Sequence, residues 1–305
     1  MCVTSGWGVL FKTPYNEMLA IPTIFTVTAI VEVIPLVAVE GVRANSHEES
    51  IKFLLLGPPE VRWRCGRVWF RGHRQRAVYA ALAMGANRVV SIDRLVDVVW
   101  GDRPPPTAQV QIQKVVSELR RLLIDPADEN ERIVTAYSGY MLRAEPGEID
   151  AEVFKHEVRL ASSAATRRRM SEAATHFRAA LSHWFGQALD GVPGLAADAI
   201  HLEEQRLAAL EDCIRTELQL GREGKVAPEL EQLITAHPLR ERLRMLHMVA
   251  LCNCGRRAEA LRVYHDTRRV LREELGIEPS SELRDVEQAV LSGAPAVQLA
   301  FMVAR

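Results

Sequence analysis

A chain of 305 residues, 48% apolar and 25% charged, has room for about two soluble domains and is neither collagen-like nor broadly disordered. Its net charge of -1 excludes a uniformly basic or acidic protein, but the charge is unevenly placed. Residues 51–143 carry 15 Lys/Arg against 9 Asp/Glu, and the remainder carries 23 against 30, so a block of +6 sits inside a chain that is otherwise -7. Such a block is a footprint for a polyanion.

Residues 1–50 read as an N-terminal extension dispensable for the main function. The uncharged run Met18 to Val31 is shorter than the roughly 20 apolar residues a membrane span needs, and Pro22 and Pro35 interrupt the region. Lys12 alone makes a poor signal peptide. A poorly ordered arm, an extra strand or two, and a start codon placed too far upstream are the three readings left. Cys2, Cys65, Cys213, Cys252 and Cys254 form an odd, scattered set, which points to reduced thiols in buried helical positions and to no metal site.

From Ile51 the pattern sharpens. IKFLLLGPPEVRW predicts a strand, a turn at Gly57-Pro58-Pro59 and a second strand; CGRVWFRG predicts a third after a turn near Cys65-Gly66. HRQRAVYAALAMGA is a helix with Val78, Ala81 and Leu82 at helical spacing. SIDRLVDVVWG is a short helix capped by Ser91 and stopped by Gly101, with Leu95, Val98 and Val99 on its apolar face and Arg94 in its first turn.

PPPTAQVQIQKVVSELRRLL follows. Pro104–Pro106 cannot continue a helix, and Thr107 is the expected N-cap of a new one running to about Leu123. On a helical wheel Ile112, Val116, Leu119 and Leu123 form one stripe. Val110, Lys114, Ser117 and Arg121 lie opposite, Gln113 and Glu118 flank them, and Arg120 sits at the border. After an acidic loop, Ile133–Thr135 and Tyr140–Leu142 predict a hairpin around Ser138-Gly139. A short helix, a turn, a second helix and a hairpin make a winged helix-turn-helix.

Residues 150–292 read as helix throughout. Gly221-Arg222 opens GREGKVAPELEQL, and 34 residues later Gly255-Arg256 opens GRRAEALRVYHDT; MSEAATHFRAAL from Met170 is a fainter copy. Thirty-four residues is the tetratricopeptide period. Ala173, Ala174, Ala258 and Ala260 are expected to let paired helices pack closely. The expected fold is therefore an α+β N-terminal winged helix-turn-helix domain (51–145) followed by an all-α tetratricopeptide-like helical domain (150–292) and a tail, 293–305.

The residues LGPPEV at 56–61, RQRAVYAAL at 74–82, SIDRLVDVVWGDRPP at 91–105, QKVVSELRRLL at 113–123 and SGYML at 138–142 resemble the Streptomyces antibiotic regulatory protein (SARP) family. Residues 236–283 resemble that family's bacterial transcriptional activation domain. The resemblance covers about 51–292. It implies an OmpR-type winged helix, and an activator of secondary-metabolite (antibiotic) genes. It implies binding to promoter direct repeats in double-stranded DNA as a head-to-tail homodimer, and contact with RNA polymerase holoenzyme. The scattered, reduced cysteines point to the cytoplasm, and no cofactor is expected.

On this reading Lys114, Arg120 and Arg121 meet phosphates or guanine edges, and Gln113 and Ser117 read bases or phosphate oxygens. Thr107 starts the helix, Arg94 holds a phosphate, and the hairpin tip, Tyr137 and Ser138 with Arg132 at its base, touches the adjacent backbone or minor groove. Arg62, Arg64, Arg67 and Arg71 read as a solvated strand face or a polymerase contact. Glu118 departs from the expected pattern, because a carboxylate on a DNA-facing helix repels phosphate. It keeps open an adaptor whose winged domain binds no DNA; a repressor is the other alternative. No catalytic motif appears: the nine histidines do not cluster, and GREGKV at 221–226 lacks the spacing and the Ser/Thr of a phosphate-binding loop.

Overall fold

Phe53, Leu55 and Val61, all fully buried, open the fold by fixing an antiparallel sheet to the helices behind it. The structure, a computed structural model, describes residues 51–63, 66–68, 70–124 and 131–294. The expectations for residues 1–50, for Cys65, Arg64 and the acidic loop 125–130, and for the tail beyond 294 lie outside the described residues.

Strands β1 (Lys52–Leu54), β2 (Glu60–Trp63) and β3 (Gly66–Val68) pair in that order, all antiparallel, with Phe53 opposite Val61 and Arg62 opposite Arg67. Helix α1 (His73–Met84) packs on this sheet through Tyr79, whose ring lies against Phe53 and Phe70 and whose hydroxyl donates to Glu60 O at 2.8 Å. Helices α2 (Ile92–Trp100) and α3 (Ala108–Leu122) complete the three-helix layer. A second sheet, β4-β6-β5, combines the hairpin β5 (Ile133–Ala136) and β6 (Gly139–Leu142) with β4 (Val90–Ser91). The two-residue β4 is too short to show a period in the sequence. Gly139 is obligatory beside it: a Cβ there would lie 1.9 Å from Val90 O.

The second half is helical throughout: α4 (Asp150–Thr166), α5 (Met170–Ser182), a 3-10 turn at Pro193–Leu195, α6 (Ala196–Gln219), α7 (Glu223–Ala236), α8 (Glu241–Asn253), α9 (Arg257–Leu275) and α10 (Ser281–Ser292). Ala173, Ala174 and Ala260 are buried between helices as expected, while Ala258 faces solvent. Of the cysteines described, Cys213 is buried, which pushes its thiol up to about 12, Cys252 is half-buried, and Cys254 is exposed at the end of α8 rather than inside a helix.

The largest hydrophobic core does not stop at the junction between the halves. It runs from Ile51 through α1–α3 and the hairpin to Phe154, Trp184, Leu202 and Ala209. A second core, from Leu207 to Val290, belongs to α6–α10. The junction is also tied by backbone bonds. Phe53 N donates to Glu148 O at 2.8 Å, Phe185 N to Leu56 O at 3.1 Å and Leu189 N to Leu55 O at 3.0 Å. Asp150, at the start of α4 and buried, accepts from Leu55 N, Leu56 N and Ala151 N at 2.7–3.0 Å. At Gly194 the 3-10 turn packs so closely on α2 that a Cβ would lie 2.0 Å from Val98 O.

Candidate nucleic-acid interface

Helix α2 begins where Ser91 Oγ accepts from Arg94 N at 3.1 Å and ends at Gly101, whose φ of 57° suits glycine. The exposed segment through Pro104 and Pro106 then turns, with Ala108 N donating to Pro105 O at 2.9 Å, and α3 starts. Thr107 occupies the N-cap position, but its hydroxyl caps no backbone N–H. It accepts instead from Gln111 Nε2 at 2.9 Å.

The stripe Ile112, Val116, Leu119 and Leu123 is buried as expected, joined by Ala108 and Val115. The opposite face is open. Val110 is 64% exposed, and Gln113, Lys114, Ser117 and Arg121 all face solvent, with no bond to any described side chain. At the hairpin tip Tyr137 is fully exposed and Ser138 is exposed beside it. Ser138 O accepts from Ile92 N at 3.2 Å, so the wing tip is anchored at the start of α2.

Four side chains depart from the sequence reading. Arg120 turns sideways. Its Nε donates to Ile133 O and its Nη2 to Thr135 Oγ1, both at 2.8 Å, so it fastens α3 to the wing and its donors are not aimed at a groove. Arg132 is turned inward against the buried Glu148 at 3.0 Å, a structural ion pair at the base of the wing. Arg94 lies 3.3 Å from Asp198 on α6, so a carboxylate of the helical half holds the guanidinium expected to hold a phosphate. Glu118 is half-buried on the flank of α3, where its carboxylate accepts from Gln75 Nε2 at 2.7 Å; it does not project into the open face. Among the strand arginines, Arg62 and Arg67 both meet Glu60, and Arg62 lies over the Phe185 ring.

Gln75 and Arg74 are the residues the sequence reading passed over. Gln75 precedes Val78 by one turn on the buried side of α1, and a polar side chain at a core position needs a partner. That signal was present in the sequence; the identity of the partner was not. Among the described residues no cluster of His, Cys, Asp and Glu is arranged to hold a metal ion, and no helix is long and apolar enough to cross a membrane.

A recognition-type helix with an open polar face, a wing beside it and a helical stack sharing its core define a winged-helix transcriptional regulator. Comparisons with known proteins agree. A family model described as "Transcriptional regulatory protein, C terminal" matches residues 71–142, and one described as "Bacterial transcriptional activator domain" matches residues 149–291. Regulatory protein DnrI of Streptomyces peucetius is 33% identical over 80% of this chain and 93% of its own length. Regulatory protein AfsR of Streptomyces griseus is 37% identical over 80% of this chain, which spans 25% of that relative's length. A solved structure of Mycobacterium tuberculosis EmbR in complex with a low affinity phosphopeptide superposes with a TM-score of 0.78 at 31% identity, covering 84% of this chain and 70% of that one. The chain belongs to the SARP family of transcriptional regulators.

Proposed function

We propose that this chain is a sequence-reading DNA-binding activator of antibiotic biosynthetic genes. Helix α3 lies in a major groove, which is about 12 Å wide and admits a helix. Lys114 and Arg121 meet phosphates or guanine edges, Gln113 and Ser117 meet bases or phosphate oxygens, and Tyr137 and Ser138 meet the neighbouring backbone or minor groove. Arg120 and Arg132 hold the wing in place. The chain binds direct repeats near promoters as a head-to-tail pair, contacts RNA polymerase and works in the cytoplasm as a regulator rather than an enzyme. The observation that carries this reading is the open face of α3: four polar or cationic side chains exposed together, backed by a fully buried stripe. The adaptor reading drew its support from Glu118, and the Gln75–Glu118 bond weakens that support.

Fluorescence anisotropy with promoter duplex from the neighbouring gene cluster, a scrambled duplex and two salt concentrations tests it. The wild type is expected to prefer the promoter duplex and to weaken steeply with salt. Lys114→Ala and Arg121→Ala should each weaken binding and flatten the salt slope by about one unit where the side chain meets a phosphate. Equal, weak binding to both duplexes, or unchanged slopes in both variants, refutes the reading.

A further inference from the structure

We propose that the first turn of α1 sets the rotation of α3, and that Gln75 and Glu118 are positioning residues for DNA reading. The inference rests on the DNA-binding reading of α3. Two ties run from α1 to one flank of α3. In the first, Arg71 N donates to Gln75 Oε1 at 2.7 Å, which fixes the amide so that Nε2 donates to Glu118 Oε2 at 2.7 Å. Gln75 is only 7% exposed, so the amide has little freedom to turn. In the second, Arg74 Nη1 donates to Gln111 Oε1 at 2.6 Å, and Gln111 Nε2 passes the chain on to Thr107 Oγ1 at 2.9 Å. The Arg74 guanidinium is seated over the Trp100 ring.

Gln111 and Glu118 are two turns apart and share one side of α3. Arg120, bonded to Ile133 O and Thr135 Oγ1, lies on the opposite side. The buried stripe is at right angles to both. The helix is therefore held from behind by apolar contact and from each flank by hydrogen bonds, and the remaining quarter is the open face. The buried stripe fixes the depth of the helix and its coarse rotation, and the flank bonds, placed to either side, set the fine rotation. With side-chain tips about 5–6 Å from the axis, a turn of about 20° displaces them by about 2 Å. That is enough to break hydrogen bonds to base edges, which tolerate a few tenths of an ångström, while attraction to phosphates survives.

A positioning role and a plain charge role for Glu118 make opposite predictions. If Glu118 acts only as a negative charge near DNA, Glu118→Ala and Glu118→Gln both tighten binding to any duplex. If it positions α3, Glu118→Gln keeps an acceptor for Gln75 Nε2 and preserves discrimination, whereas Glu118→Ala loses it. The test is anisotropy on promoter and scrambled duplexes at one fixed salt concentration, with thermal melts alongside. The expected result is a promoter-to-scrambled affinity ratio at least about tenfold lower in Glu118→Ala, near wild type in Glu118→Gln, with scrambled-duplex affinity changed by less than about threefold in both. Gln75→Met, which fills the same space without the amide, should reproduce Glu118→Ala, and it carries the test if Glu118→Ala melts early. Parallel behaviour of the Ala and Gln variants, or an unchanged ratio in Glu118→Ala and Gln75→Met, overturns the proposal. A wild type that fails to discriminate is a different result: it removes the DNA-reading function itself, and the positioning role with it.

Discussion

Replacing Asp150 with Ala tests how the two halves are joined. Among the described residues the Leu55 and Leu56 amides bond to Asp150 alone, and both residues are fully buried. A buried N–H left without a partner costs about 1–3 kcal/mol, so losing the carboxylate costs about 2–6 kcal/mol. Asp150→Asn keeps one acceptor oxygen but turns an NH2 toward the other donor, and is expected to cost about half as much. Burial pushes the Asp150 carboxyl up to about 6, against the pull of its three N–H donors and of Arg62. A carboxyl that titrates higher in the folded chain than in the unfolded one adds stability that is fully present below the unfolded value and is lost as pH rises through about 6. The Ala penalty should therefore be greater at pH 5 than at pH 8, by about 1 kcal/mol. Urea denaturation of the full chain at both pH values, followed by far-ultraviolet ellipticity, measures it. A penalty under about 0.5 kcal/mol, or one that grows toward pH 8, refutes this account of the junction.

Two further substitutions probe the elements on either side of that junction. Leu119→Ala empties a fully buried position on the seating stripe of α3 and should cost about 2–5 kcal/mol in denaturant titrations; a neutral effect means that α3 is wrongly phased. Arg168→Gly should raise stability by about 1 kcal/mol and increase the melting temperature, because Arg168 is held at a φ of 60° with its side chain in solvent, where glycine carries no steric penalty. A lower melting temperature in that variant means that the arginine side chain makes a stabilising contact outweighing the backbone strain.

The stripe of α3 was legible because burial imposes a 3.6-residue period that apolar residues reveal, and Ile112, Val116, Leu119 and Leu123 keep it without interruption. The open face was legible as its complement. What the sequence concealed was the aim of each long polar side chain. Arg120, at the border of the stripe, was given the same DNA contacts as Arg121 and Lys114, yet it is committed to the wing 13–15 residues away. Arg132 meets Glu148, 16 residues on, and Arg94 meets Asp198, 104 residues on. Glu118 carried a correct electrostatic warning and an incomplete conclusion, because Gln75, 43 residues earlier, supplies the donor that turns it aside. Local pattern assigns a side chain to a face. Only the tertiary neighbours decide whether its polar end remains free.

The helical half shows the same limit on a larger scale. The 34-residue period was visible through Gly221 and Gly255, both at positive φ. The first copy was faint because Arg168 stands where the others have glycine, yet the three turns close alike: Arg169 N donates to Ala164 O, Arg222 N to Glu217 O and Arg256 N to Leu251 O, at 2.8–3.0 Å. Equivalent turns do not make equivalent pairs. The α4–α5 pair contributes Phe154 and Ala180 to the core of the winged half, and the later pairs bury Val226, Leu246 and Tyr264 in a core of their own. Helix α6, 24 residues long, contributes Leu202 and Ala209 to the first core and Leu207, Ile214 and Leu218 to the second. Its first turns also hold Asp198 against Arg94, one turn beyond the Ser91 cap of α2. A helix that shares side chains with two cores cannot tilt in one without disturbing the other, since close-packed interiors have no slack to absorb the motion. Helix α6 thus ties the core of α7–α10 to the start of α2, where Ile92 N also anchors the wing tip through Ser138 O.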